Sequence, residues 1–217
     1  MIVIIKKLAL FEDVLKKGFY VFHVHSDFTD GESSIQEYCD IVEKLGFKSL
    51  IITEHVNKKL KYSFNKFMDV IEEQRLNHDI NILAGIETKV LADGSLDMPE
   101  WILSMIDVLA IAEHSFNGSA EDLKRALYRN FKKKDGNRIP TVWVHPGLKL
   151  LNKFNSPKYF KELINFAIVN KIYIEKNLRY KLPPNWAENI IPKGLTVIGL
   201  DAHTVAEIEI YAKILQS

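Results

Sequence analysis

Apolar runs recur along the chain at 19–24, 49–52, 80–86, 106–112, 141–144, 172–174 and 195–200. Each is short and continuous, the pattern of a strand buried on both faces. Their spacing is close to the roughly 30 residues of a strand–helix–strand unit. Helical periodicity fills the gaps. Ile35, Tyr38, Cys39, Val42 and Leu45 share one helix face, with Ser34 and Glu37 as a capping box and Gly46 as a stop. Phe64, Phe67, Met68 and Ile71 repeat the spacing. Ser119 with Asp122 caps a stretch carrying Leu123, Ala126 and Leu127. Ser156-Pro157 opens another with Phe160, Leu163, Ile164 and Ala167. Thr204 with Glu207 caps the last, which buries Ile208, Tyr211 and Leu215. No Gly/Ser-rich linker interrupts the alternation. The pattern predicts an α/β fold with parallel strands in a single domain, a distorted, TIM-like (β/α)7 barrel over residues 18–217. Residues 1–17 read as an N-terminal accessory segment with a helix through Leu10, Val14 and Leu15.

The residues that follow the runs carry the chemistry. The first run leads into His23-Val24-His25, and alternation along a strand would put both imidazoles on one side. Asp30-Gly31 marks a turn five residues further on. The other runs end at Glu54-His55, Glu87, Glu113-His114, His145-Pro146-Gly147, Glu175 with Asn177-Leu178-Arg179, and Asp201-Ala202-His203. In a parallel barrel these positions converge on the C-terminal face. A single histidine after a strand is ordinarily a structural side chain. Six of the seven histidines lie in this layer, however, and only His78 falls elsewhere. The set His23, His25, Asp30, His55, Glu87, His114, His145, Asp201 and His203 is too large for one ion, which takes three or four protein groups. Two to three divalent transition-metal ions are implied, with a carboxylate bridging. Imidazole with carboxylate suits zinc, manganese or iron.

Composition changes this picture little. Of 217 residues, 47% are hydrophobic and 26% charged, and 29 basic residues against 28 acidic leave a net charge of +1. No global field draws the chain to nucleic acid or membrane. One cysteine, Cys39, excludes an internal disulfide and suits a reducing compartment. The start, Met1-Ile2-Val3-Ile4-Ile5-Lys6-Lys7, reverses the order of a signal peptide, and no run reaches membrane-spanning length. The expected location is cytoplasmic.

These motifs resemble the polymerase and histidinol phosphatase (PHP) family of metal-dependent phosphoesterases. The resemblance runs from Phe19 to about Leu215. It is carried in order by His23-x-His25 with Ser26 and Asp30-Gly31, by Ile52-Thr53-Glu54-His55, by Glu113-His114-Ser115 with His145-Pro146, and by Gly199-Leu200-Asp201-Ala202-His203. The stretch from Gly85-Ile86-Glu87 to Asp93-Gly94-Ser95-Leu96-Asp97 is similar to the variant in family X bacterial DNA polymerases and their free-standing relatives. The resemblance implies a trinuclear site. His23, His25, Glu87 and Asp201 would hold the first ion, Glu87 would bridge to a second on His114 and His145, and Asp30, His55 and His203 would hold a third. Two departures stand out. Glu54 replaces the family's frequent Asp, with an expected effect on the orientation of His55. Thr88-Lys89 replaces an apolar residue and an acid, which places a cation near the site.

The implied reaction is hydrolysis of a phosphate ester by a metal-activated hydroxide, since coordination lowers the pKa of water from about 15.7 to near 7. Glu87, Asp201 and His55 are the candidate catalytic residues. Arg179 and Lys89 are the candidate phosphate-binding ones, guanidinium being suited to two phosphate oxygens. A small phosphomonoester is the preferred substrate. The alternative is a nucleic-acid 3′ end, for which Lys132-Lys133-Lys134 with Arg125, Arg129 and Arg138 would supply backbone contacts. An amidohydrolase needs no Asp30, His55 or His203, and a non-catalytic metal-stabilised module would have lost ligands. Both readings therefore rank lower.

Overall fold

Seven parallel strands alternate with helices in the computed structural model, which describes residues 10–132 and 139–215. The strands are β1 (Tyr20–Phe22), β2 (Ser49–His55), β3 (Asn81–Lys89), β4 (Val108–Ala112), β5 (Thr141–Trp143), β6 (Tyr173–Asn177) and β7 (Thr196–Gly199). The helices are α1 (Phe11–Lys17), α2 (Ile35–Lys44), α3 (Phe64–Asn77), α4 (Ala120–Phe131), α5 (Pro157–Val169), α6 (Asn185–Glu188) and α7 (Val205–Leu215). Strand order follows chain order, every pairing is parallel, and the sheet curls until its ends meet. Leu200 N donates to Phe22 O at 3.0 Å, Ala202 N to His23 O at 3.0 Å, and His25 N to Ala202 O at 2.9 Å. These bonds close the seam just past the strands. The chain is the expected (β/α)7 barrel.

Inward and outward residues form separate cores. Phe22, Ile51, Leu83, Val108, Ala110, Val142, Val144 and Val197 fill the barrel interior. Val21, Leu50, Ile52, Ile82, Leu109, Trp143 and Ile174 face the helices. Trp143 is fully buried between Phe131 and Phe160, with ring centroids at 5.3 and 5.4 Å. Trp143→Ala is expected to cost about 3–5 kcal/mol, read as a lower midpoint in urea denaturation.

The caps form where the sequence puts them. Ser34 and Glu37 make a capping box at α2, Ser119 and Asp122 make another at α4, and Thr204 with Glu207 caps α7. Pro157 opens α5. In α7, Ile208 and Ala212 are buried and Tyr211 is half-buried, while the side chain of Leu215 lies outside the described residues. Two expectations shift. α1 begins at Phe11, leaving Leu10 exposed before it, and Phe11 and Val14 pack into the interior core. The Phe11 ring meets Phe22 at 6.2 Å and Tyr173 at 5.2 Å, so α1 closes the N-terminal mouth of the barrel. β1 ends at Phe22, short of His23.

Candidate metal centre

Strand alternation delivers most of the expected ligands. Ile51 points inward, so His55 does too; the same parity links Leu83 to Glu87 and Val197 to Asp201 and His203. β1 and β5 break the rule. Phe22 and Val144 already face inward, so the next residues should face out. Instead His23 and His145 adopt left-handed backbone, with φ of 69° and 33°, and turn inward as well. Asp201 shares the left-handed region, with φ 54°. Such backbone is unfavourable for residues with a Cβ and persists only where the surroundings enforce it. His23 and His25 share the inward side as expected, 5.1 Å between rings, flanking Val24, which packs with the helix-facing residues and bridges Ala202. The kink at His23 is what brings this side round to the one Phe22 already occupies.

Glu87 sits at the middle of the inward-facing imidazoles, 1% exposed. Its two oxygens divide them. Oε1 lies 2.9 Å from Nε2 of both His114 and His145. Oε2 lies 3.3 Å from His23 Nε2, 3.2 Å from His25 Nε2 and 3.3 Å from His55 Nδ1. Asp201 Oδ1 stands 3.3 Å from His25 Nε2 and 3.7 Å from His23 Nε2. Asp30 lies at the rim, 3.4 Å from His55 Nε2 and 3.7 Å from His203 Nε2. Its loop is closed by Gly31, where a Cβ would fall 2.0 Å from His25 O.

This donor set fits cations. Donor atoms of His23, His25 and Asp201 lie within 4.8 Å of one another, and so do those of His23/Glu87/His145, His55/Glu87/His114 and His25/His55/His203. Both ring nitrogens of His25 and Nδ1 of His145 are buried without a hydrogen-bond partner. Of these, His25 Nε2 faces oxygens of Glu87 and Asp201, and a buried nitrogen so placed is costly unless something else completes it. Neutral imidazole with carboxylate is zinc, manganese or iron chemistry. The charges interlock even without an ion. Burial opposes ionisation of Glu87 and Asp201, but the surrounding imidazoles win and hold both carboxyls below their usual range. Asp30 is lowered too, mainly by His55.

Three further buried carboxylates support the ligands from behind. Glu175 Oε1 lies 2.5 Å from His23 Nδ1, and its Oε2 accepts from the backbone N–H of His145 at 2.5 Å and from Asn177 Nδ2 at 3.0 Å. Glu113 accepts the N–H groups of Gly147, Lys149 and Leu150, fixing the loop that follows His145. Glu54 accepts from Ser26 N and, at 2.6 Å, from Thr29 Oγ1. It therefore fixes the loop between His25 and Asp30. The expected influence on His55 is replaced by this one, because adjacent strand residues point to opposite faces. Burial pushes the Glu54 and Glu113 carboxyls up. Sequence reasoning assigned no role to Glu113 or Glu175. Their partners are mostly backbone N–H groups, which leave no residue signature.

The expected cations are engaged. Arg179 Nη1 donates to Asp201 O at 2.8 Å and Glu207 Oε1 at 3.0 Å, and lies 3.3 Å from His203 Nδ1. It braces the loop bearing Asp201 and His203. Lys89 Nζ is 3.5 Å from Asp97 Oδ2. Arg125 pairs with Asp122, and Arg129 donates to Asp93 O at 3.1 Å. Lys132 is exposed, and Lys133, Lys134 and Arg138 lie outside the described residues.

Comparison with known proteins follows the same line. A family model described as PHP domain matches residues 22–168. The DNA polymerase/3′-5′ exonuclease PolX of Bacillus subtilis (strain 168) is 25% identical over 196 residues, covering 84% of this chain and 34% of that protein. The chain thus spans about a third of this relative's length. Histidinol phosphate phosphatase from Lactococcus lactis subsp. lactis Il1403, solved with zinc, L-histidinol and phosphate, shares the fold. Its TM-score is 0.57 at 14% identity, over 90% of this chain and 93% of that one.

Proposed function

The chain belongs to the PHP domain family of metal-dependent phosphoesterases, and from that premise we propose that it hydrolyses a small phosphomonoester at a centre of two to three divalent ions. The observation that carries the reading is the divided carboxylate of Glu87, with Oε2 among His23, His25 and His55 and Oε1 against His114 and His145. One oxygen for each imidazole group is what a bridge between two cations requires. His23, His25 and Asp201 complete the first position, His114 and His145 the second, and Asp30, His55 and His203 a third. When bound, such ions lower the pKa of water and neutralise phosphoryl oxygens.

The side chains do the rest. Glu87 sets the spacing of the two positions. The apolar interior beneath it keeps the floor dry, which strengthens each charge interaction above. His55, about one-third exposed, and Asp201 would border a reacting phosphate. A carboxyl held below its usual range keeps no proton near neutral pH, so the leaving alcohol would take its proton from His55, or from water at the centre where His55 itself holds an ion. Arg179 faces the same rim and would grip the phosphate through nitrogens other than Nη1; Lys89 lies further out. We assign this activity to residues 18–217, with 1–17 as the accessory segment. The buried free thiol of Cys39 is compatible with the cytoplasm, and among the described residues no helix is long and apolar enough to cross a membrane.

Two observations favour a small substrate. The structural neighbour covered over 93% of its length is a phosphatase bound to L-histidinol and phosphate. Arg125 and Arg129 of the basic run are tied to Asp122 and the Asp93 carbonyl. A second reading, hydrolysis at a nucleic-acid 3′ end, is favoured by the exonuclease relative and by exposed Lys58, Lys59 and Lys61 beside the mouth. The test is a manganese- and zinc-supplemented screen of aryl and metabolite phosphates, a phosphodiester, DNA 3′-phosphates and an N-acyl amino acid. Turnover of small phosphomonoesters is expected. A preference for DNA ends selects the second reading, and hydrolysis of the amide alone, or of nothing, overturns the phosphoesterase assignment.

A further inference from the structure

We infer that Glu175 is a positioning residue that couples the two ion positions bridged by Glu87, so that neither fills at full affinity without it. The inference rests on the binuclear reading above. It starts from the backbone. The two places where strand alternation fails are His23 and His145, and both ends of one carboxylate reach them. Oε1 takes the side chain of His23, and Oε2 takes the main chain of His145. On that reading these two residues serve different positions, His23 beside Asp201 and His145 beside His114 across Glu87 Oε1, although their donor atoms also lie within 4.8 Å of each other.

The geometry gives Glu175 two tasks. A contact to Nδ1 of His23 fixes that nitrogen as the protonated one, leaving Nε2 free to point at the centre. A bond to the N–H of His145 holds the left-handed turn that brings this ring inward. The carboxylate itself cannot drift. It is fully buried, Asn177 Nδ2 donates to it at 3.0 Å, and the space it fills exists because residue 199 is glycine. A Cβ on Gly199 would stand 1.7 Å from Glu175 Oε1. Rotating Glu175 to release one histidine must therefore release the other, which is the physical content of the coupling.

The test uses the full chain and zinc or manganese as the probe. Metal affinities are measured by competition with a calibrated chelator, alongside metal content per chain. For Glu175→Gln and for Gly199→Ala, both positions are expected to weaken together by roughly 10–100-fold, the scale of losing an outer partner of a ligand. Wild-type affinity at both positions, or weakening confined to one, would overturn the coupling. Nitrogen-15 NMR of the histidines in the unmodified protein adds a readout that needs no variant. His23 is expected as the Nδ1–H tautomer, and a bare Nδ1 would overturn the role. Failure of the unmodified chain to bind two ions would instead strike the binuclear reading itself, so the two failures are distinguishable.

Discussion

Glu87→Gln is expected to lower phosphoesterase turnover by about a hundredfold or more while leaving the fold intact. Losing one group that stabilises charge at a reacting centre has effects of that size. The substitution keeps the shape and removes one oxygen and the charge. Whichever way the amide turns, its NH2 then faces either His114 and His145 or His23, His25 and His55, whose nitrogens lie within 2.9–3.3 Å. A donor at that point cannot bridge cations. Steady-state rates, metal content and circular dichroism measured on one preparation decide the matter. A variant with near-normal turnover and full metal content would remove Glu87 from the bridge.

Exhaustive chelation is the second large effect. Turnover should fall to background and return on adding manganese or zinc. The melting temperature should fall with it. A ligand held at about a thousandfold above its dissociation constant stabilises by about 4 kcal/mol, which for a chain of this size is on the order of ten degrees. The physical reason lies in the donor set. His23, His25, Glu87 and Asp201 are buried, and they stand close enough for their charges to depend on one another. Cations relieve that confinement in the folded chain only. A melting temperature that holds or rises after chelation, with activity intact, would show that these residues form a self-satisfied polar cluster.

Much of this was legible in the sequence, for a physical reason. Strands covered on both faces must be apolar throughout, so the first polar residue after each run marks the rim. That is how Glu87 and Asp201 stand out, each directly after its run, whereas His55 follows Thr53 and Glu54 and stands out only as the imidazole at the end of β2. The capping boxes at Ser34, Ser119 and Thr204 were equally plain, because capping is a local contact. What escaped was nonlocal. No spacing rule shows that the backbone inverts at His23 and His145: alternation pairs His23 with His25 correctly but places both opposite Phe22, and it turns His145 away from the interior. Glu113 reads as one more acid beside a histidine, Glu175 as an acid at the end of its run, and Glu54 as a residue that orients His55. Their work is done on N–H groups that are 28, 34 and 30 residues away in sequence. Arg179 has the chemistry of a phosphate ligand, yet its Nη1 is committed to Asp201 O and Glu207.

The plug formed by Phe11 and Val14 has a consequence for traffic. With α1 seated against Phe22 and Tyr173, and with Ile51, Leu83, Val108 and Val142 filling the space above it, the barrel has no rear exit among the described residues. Substrate, water and both products must share one doorway at the C-terminal rim. On the proposed phosphomonoester reading, an alcohol bound nearer the rim would depart before the phosphate it leaves behind. Inorganic phosphate arriving from outside would then occupy the place the next substrate needs, so its inhibition should be competitive, with an apparent KM that rises linearly with added phosphate and an unchanged kcat.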